Sequence, residues 1–287
     1  MIKLFSEQHL IVGTMRLGVW GAALNQRALT SFVESCLSLK LSIFDHADIY
    51  GDYTTEAEFG AVLADQPSLR AKLKLITKCG IKTTSKYLIK SFDTSEAHII
   101  SSVEQSLKNL KTDYIDLLLL HRPDYLLDVH QVASAFEKLQ ESGKVNAFGV
   151  SNFSVSQFEM LNQIWPLATN QIEASVMQRA AFDNGTLDQC YANGLRPQAW
   201  SPLAGGAVFS SKDDILSSKL NQIASELECE LDTLLYAWLL RHPSGIMPVT
   251  GTSKISRLEN AIKAVDLELS ATQWYTILEA ASGSEVA

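Results

Sequence analysis

Four polar residues sit where short apolar runs end. Asp45 closes Ile43-Phe44, Tyr50 lies in the loop that follows, Lys78 ends Leu75-Ile76-Thr77, and His121 ends Leu117 to Leu120. A carboxylate at the end of a buried strand is costly unless it is paired or belongs to a site. Lys78 offers the opposite charge, and an Asp–Lys pair taken alone is as well structural as functional. A strand-borne Lys beside a carboxylate also suits a Schiff-base aldolase, in which the amine attacks a carbonyl carbon. Taken singly, Tyr50 reads as a loop aromatic with its hydroxyl in water, and His121 as a hydrogen-bonded strand-end histidine. Together they deliver an acid, a phenol, an ammonium and an imidazole from three strand ends.

Such a set needs a frame that gathers strand ends on one face. Strand-like runs fall at residues 11–14, 42–45, 73–78, 115–121, 145–150, 168–173, 196–201 and 245–249. Helical patterns separate them, at about 25–40, 55–64, 95–111, 128–142, 154–165, 186–193 and 217–242, the last in one or two pieces, with another at about 255–265. In the third, Ile99, Ile100, Val103, Leu107 and Leu110 recur at helical spacing behind a capping Ser95. Gly143 and Gly194 stand where helices should stop. Parallel strands need long crossovers, so the alternation implies a parallel sheet. Eight units favour an α/β fold of the closed (β/α)8 TIM-barrel type, which typically takes roughly 250 residues. The expectation is one domain over 1–287, with an N-terminal hairpin near residues 3–10 and an extra C-terminal helix at about 270–282 carrying Trp274, Ile277 and Leu278. A barrel places its working residues just past the C-terminal strand ends. Ser151-Asn152, Gln171, Trp200-Ser201 and Thr250-Gly251-Thr252-Ser253 stand there too.

Composition narrows the function classes. With 24 basic and 32 acidic residues the formal charge is −8, which disfavours non-specific nucleic-acid binding. The first six residues lack the apolar core of a signal peptide, and no apolar run approaches the roughly 20 residues of a membrane span. Cys36, Cys79, Cys190 and Cys229 form no Cys-x-x-Cys, so reduced thiols in a cytoplasmic protein are expected. Cys79 reads as a thiol on the strand face opposite Lys78. No His or Cys pair has metal-ligand spacing. No Gly-x-Gly-x-x-Gly or P-loop spacing occurs.

Asp45-x-Ala47-x-x-Tyr50-Gly51, Thr77-Lys78, Leu120-His121-Arg122-Pro123 and Gly149-Val150-Ser151-Asn152-Phe153 resemble, in order and over essentially the whole chain, the aldo-keto reductase superfamily. Residues 44–51 and Ala199-Trp200-Ser201-Pro202-Leu203 most resemble the bacterial YdhF-like oxidoreductases. The resemblance implies a (β/α)8 barrel, NADPH (NADP) as cofactor, and reduction of small-molecule carbonyls to alcohols. It makes Tyr50 the proton donor. A phenol has a pKa near 10, and a neighbouring ammonium lowers it. Lys78 would supply that charge, Asp45 would keep Lys78 charged, and His121 would orient the carbonyl oxygen.

Carried over residue by residue, the resemblance also outlines a cofactor site. Ser151, Asn152 and Gln171 match the positions that bind the nicotinamide carboxamide, and Trp200 matches the aromatic that stacks on its ring, often Tyr in relatives. Ser201, Leu203 and the Gly205-Gly206 pair border the pyrophosphate. Gly13, Thr14 and Met15 form another cofactor-contacting turn. Gly251, Thr252, Ser253 and Lys254 open a helix, where backbone N–H groups bind anions, and Arg257 suits a 2′-phosphate through paired hydrogen bonds. Asn260 matches the adenine contact, one residue nearer the Arg than relatives usually place it. The resemblance further implies a monomer. Substrate choice in a barrel rests on the loops at its mouth, here Leu17 to Leu24 with Trp20, Pro123 to Asp128 and Ala204 to Asp214. Two other functions remain beside it: a non-catalytic NADPH-binding redox sensor, and the Schiff-base aldolase using Lys78.

Overall fold

The computed structural model describes Phe5, residues 7–210 and residues 214–286. Eight parallel strands close into a barrel: β1 (Ile11–Gly13), β2 (Ile43–Asp45), β3 (Lys74–Cys79), β4 (Leu117–Leu120), β5 (Phe148–Ser151), β6 (Asn170–Glu173), β7 (Gln198–Trp200) and β8 (Met247–Thr250). Each pairs with the next along the chain, and β8 returns to β1. In this ring β2 stands opposite β6, and β4 opposite β8.

Side chains on a strand alternate between faces. Ile11, Ile43, Ile76, Leu117, Leu119, Ala147, Met247 and Val249 form a separate apolar cluster, the filling of the lumen. Their neighbours Val12, Phe44, Leu75, Leu118, Phe148 and Val150 join the larger core beneath the helices. One step of two along the inward face leads from Ile43 to Asp45, from Ile76 to Lys78, and from Leu119 to His121. The lumen is therefore oily low down and polar at its C-terminal mouth.

Five strands start two or three residues later than expected. The apolar residues before them lie below the ladder, where Ile115 and Val145 share an isolated bridge. The 217–242 pattern divides into helices Asp214–Glu226 and Leu231–Leu240. The expected N-terminal hairpin rests partly on residues 3, 4 and 6, outside the described residues; Phe5 and residues 7–10 form no strand. A two-stranded antiparallel pair occurs instead at Ile81–Lys82 and Ser91–Phe92, just after β3. Ser95 caps its helix by accepting from the His98 N–H at 3.3 Å.

The C-terminal helix Ala271–Ser282 is latched by two stacked indoles. Trp238 and Trp274 lie 5.0 Å apart at 7°, and each indole N–H donates to the other's backbone carbonyl, at 3.1 and 2.9 Å. Close packing also fixes Gly60, in helix Thr55–Asp65, where an added Cβ would fall 1.9 Å from the Asn109 carbonyl oxygen. All four cysteines are free, and Cys36, Cys79 and Cys190 are buried. Among the described residues no helix is long and apolar enough to cross a membrane, and no metal-binding cluster occurs.

Candidate active site

Lys78 is fully buried, yet each of its three ammonium hydrogens has an acceptor. It donates to Asp45 Oδ2 at 2.7 Å, to the His46 carbonyl at 2.8 Å and to the Tyr50 hydroxyl oxygen at 2.9 Å. Burial pulls its pKa down, but Asp45 and then Tyr50 outweigh that, and the net direction is upward. The amine is held as a cation. The other Asp45 oxygen, Oδ1, accepts from Gln171 Nε2 at 3.0 Å, across the full width of the mouth from β6. The same Gln171 amide donates to Gln198 Oε1 at 2.9 Å.

Tyr50 is aimed by a tight turn. Gly51, Asp52 and Tyr53 all have left-handed backbones, with φ of 60°, 54° and 71°. Gly51 is needed twice over, since a Cβ there would also stand 2.5 Å from Thr55 Oγ1. Such runs are costly for the other residues and gather at functional sites. His121 meets the phenol ring edge-on, 6.0 Å between centroids, and Trp20 flanks it at 6.3 Å.

The phenol departs from the expectation of a lowered pKa. Burial pushes Tyr50 up, the Lys78 ammonium pulls it down, Asp45 raises it again, and the net shift is upward. The sequence shows the charge of Lys78 but not the loss of water around the phenol, which here is the larger effect. The result is a phenol that keeps its proton at neutral pH. His121 is pushed well below the usual histidine range, first by burial and then by Lys78 and Arg122. Its imidazole is neutral, and its buried Nδ1 has no partner.

A cleft of about 1390 Å³ opens over the barrel mouth. Asp45, Tyr50 and His121 line it, together with Gly13, Met15, Ser151, Asn152, Gln171, Trp200, Ser201, Leu203, Gly251, Thr252, Ser253, Lys254, Arg257 and Asn260. Two expected residues do not. Lys78 lies beneath Tyr50. Thr14 is fully buried, donates to the Asp45 carbonyl at 3.0 Å and meets His46 Nδ1 at 3.0 Å, so its side chain ties β1 to β2.

Several of the lining groups already hold one another. Ser151 Oγ donates to the Gln171 carbonyl at 2.9 Å and accepts from Asn152 Nδ2 at 2.8 Å. Asn152 Oδ1 in turn accepts from the Trp200 indole N–H at 2.9 Å. The indole is thus fixed by its edge. Past β8, Thr252 Oγ1 accepts from the Lys254 N–H at 3.1 Å. The helix Ile255–Lys263 then begins without a side-chain cap; the Arg257 N–H turns back to the Lys254 carbonyl at 3.1 Å, leaving those of Ile255 and Ser256 without a partner among the described residues. Asn260 donates its amide to both Asp232 carboxylate oxygens, at 3.1 and 3.3 Å.

The sequence reading missed Gln198, which accepts from Gln171, and four charged residues of the cleft lining, Arg16, Lys90, Arg122 and Asp232. Arg122 left a faint signal, since it directly follows His121. Its guanidinium lies 5.4 Å from the Trp200 ring centroid. Gln198 and Asp232 carry no local signature, because each matters only through a partner brought in by folding.

The sequence model of the aldo/keto reductase family matches residues 9–282. The oxidoreductase YcsN of Bacillus subtilis is 45% identical, covering 97% of this chain and 95% of its own. The oxidoreductase YdhF of Escherichia coli is 44% identical, with the same coverage of each chain. A crystal structure of an aldo/keto reductase from Klebsiella pneumoniae in complex with NADP and acetate superposes with a TM-score of 0.79 at 24% identity, over 94% of this chain and 89% of that one.

Proposed function

This chain belongs to the aldo/keto reductase family, a family of oxidoreductases, and we propose that it reduces an aldehyde or ketone to an alcohol at the expense of NADPH, with Tyr50 as proton donor. The observation that carries the reading is the chain Asp45–Lys78–Tyr50, joined at 2.7 and 2.9 Å, whose last member lines the same cleft as His121 and Arg257.

The donor set suits the cofactor. Uncharged Ser151, Asn152 and Gln171 match a neutral carboxamide, Trp200 offers an anchored ring, and the uncapped helix start with Lys254 and Arg257 matches phosphate. Ser201, Leu203, Gly13 and Met15 would border the middle of the molecule. Asn260, braced by Asp232, would meet the adenine. The Klebsiella enzyme of the same fold, crystallised with NADP, supports this choice. When bound, NADPH supplies the hydride for the carbonyl carbon.

The chain's own work is with the proton and the oxygen. Burial keeps the Tyr50 phenol protonated until a carbonyl oxygen gains negative charge beside it. Tyr50 then gives up its proton, and the phenolate left behind is stabilised by the Lys78 ammonium. Asp45 keeps that ammonium charged in a dry setting. Neutral His121 has one N–H with which to hold the carbonyl oxygen near Tyr50.

The aldolase alternative requires a neutral, accessible amine. Lys78 is neither, being triply hydrogen-bonded and outside the cleft lining. The sensor alternative keeps the cofactor and drops the chemistry, leaving the buried Lys78–Tyr50 contact without a purpose. Loss of NADPH absorbance on adding benzaldehyde, abolished in Tyr50→Phe while NADPH still binds, is the expected result. Retained turnover in that variant would remove Tyr50 as the acid.

A further inference from the structure

We propose that the carbonyl substrate carries an anionic group, a carboxylate or a phosphate, held by Arg122 and Lys90 at the mouth beside His121. The inference rests on the reductase reading above and names its substrate class.

The charges in the cleft lining divide by position. Its carboxylates are Asp45, Glu230 and Asp232. Asp45 is consumed by Lys78 and Gln171. Glu230 and Asp232 begin the helix Leu231–Leu240, where Asp232 is bound to Asn260. The other charged groups of the lining are cations: Arg16 past β1, Lys254 and Arg257 past β8, and Arg122 and Lys90 beside His121. Arg122 follows β4 directly. Lys90 sits in the excursion after β3, between Ile81–Lys82 and Ser91–Phe92. Both face the cleft, and both charges reach the His121 imidazole, which burial, Lys78, Arg122 and Lys90 together hold neutral.

Neither cation is spent on the protein. Among the described residues neither takes part in an ion pair or makes a side-chain hydrogen bond. Arg122 is steadied instead over the Trp200 ring. That contact leaves the guanidinium fork free, in the geometry that takes a carboxylate or phosphate through two parallel bonds. Arg257 and Lys254 lie past β8, on the opposite side of the ring from β4. One cationic pair would therefore suit the cofactor phosphate and the other a second anion. In a protein of net charge −8, local cations of this kind are what would draw an anionic substrate in.

The test compares kcat/KM for matched pairs, 4-carboxybenzaldehyde against benzaldehyde and glyceraldehyde 3-phosphate against glyceraldehyde, with NADPH saturating. The wild type should favour the charged member of at least one pair by about tenfold or more, the scale of a charge-assisted hydrogen bond, and less so as ionic strength rises. The pair that shows the preference distinguishes carboxylate from phosphate. Arg122→Gln should cut the charged-to-neutral ratio by about tenfold, Arg122→Lys should restore part of it, and Lys90→Gln should lower it less. Equal turnover of both members in the wild type would overturn the proposal while leaving the reductase reading intact. An unchanged ratio in Arg122→Gln, with KM for NADPH raised alike for all substrates, would overturn it by assigning Arg122 to the cofactor. No turnover of any member, with NADPH bound, would sink both.

Discussion

Replacing Asp45 by Asn keeps the shape of the site and removes one charge. Lys78 is 1% exposed, so its ammonium would lose the carboxylate bonded to it. Removing one partner of a buried pair costs about 3–5 kcal/mol. Asn keeps one carbonyl oxygen for Lys78 and turns its NH2 against the Gln171 amide donor, while the His46 carbonyl and Tyr50 hydroxyl still accept, so about 3 kcal/mol is expected. For a chain of this size that is a fall in Tm of about 6 °C, at about 2 °C per kcal/mol. The sign with pH follows from Lys78. In the wild type its pKa is raised in the fold, so it stabilises fully below the unfolded value of about 10.5 and that contribution is lost as pH rises through the folded value. In Asp45→Asn, burial acts without Asp45 to oppose it and the folded pKa falls, so the variant is penalised below about 10.5. The gap between the two should be widest near neutrality and close as pH climbs past about 10. Adding Lys78→Met removes the stranded cation and should recover part of the lost Tm without restoring turnover. Differential scanning fluorimetry at several pH values reads both effects. A Tm loss under about 1 °C, or no recovery in the double variant, would refute the account of a buried cation held by Asp45.

Three further outcomes follow from the geometry. If Arg257 holds the 2′-phosphate as proposed, Arg257→Met should raise KM for NADPH about tenfold or more, and KM for NADH far less, because a charge-assisted contact of about 1.5–3 kcal/mol would be made only with that phosphate; steady-state kinetics with both cofactors decides. His46, whose pKa is lowered to about 3 by burial and then by Lys78, stays neutral in the fold while its unfolded form protonates near 6.5. Stability should therefore be lost as pH falls from about 6.5 towards 3, at about 1.4 kcal/mol per pH unit for this one group, as urea unfolding at graded pH would show. Gly60→Ala would drive a methyl into the Asn109 carbonyl, so helices Thr55–Asp65 and Glu96–Leu110 must part. A loss of about 1–3 kcal/mol is expected, measurable by chemical denaturation.

The barrel was legible because alternation and helical spacing are local. Ile43-Phe44-Asp45 shows its inward face in three letters, and a strand of that kind recurs eight times. The strand starts were less so, since apolar residues such as Ile115 and Val145 continue below the point where the ladder begins. The antiparallel pair after β3 went unseen because each strand is only two residues long. In the site, residue types announced Asp45, Tyr50, Lys78 and His121 and the contacts of Lys78 with Asp45 and Tyr50, but not the amide that meets Asp45 from across the ring. Gln171 reads as an amide for a ligand; only folding across 126 positions brings its nitrogen to Asp45. Thr14 reads as a cofactor-contacting residue, and burial turns it into a tie between strands. Lys78 pulls the Tyr50 pKa down as its charge implies, and burial outweighs it: charges can be counted along a sequence, and the loss of water around them cannot.

The bond from Gln171 to Asp45 acts as a crossbeam. It runs between staves on opposite sides of the ring, and Gln198 braces its far end. An empty barrel rim can flatten into an oval as loops are lengthened or exchanged around it. The crossbeam ends on the same carboxylate that holds the Lys78 ammonium at 2.7 Å, so the ammonium's anchor is tied to both sides of the ring. New loops can thus change what enters the mouth without loosening the parts that act on it.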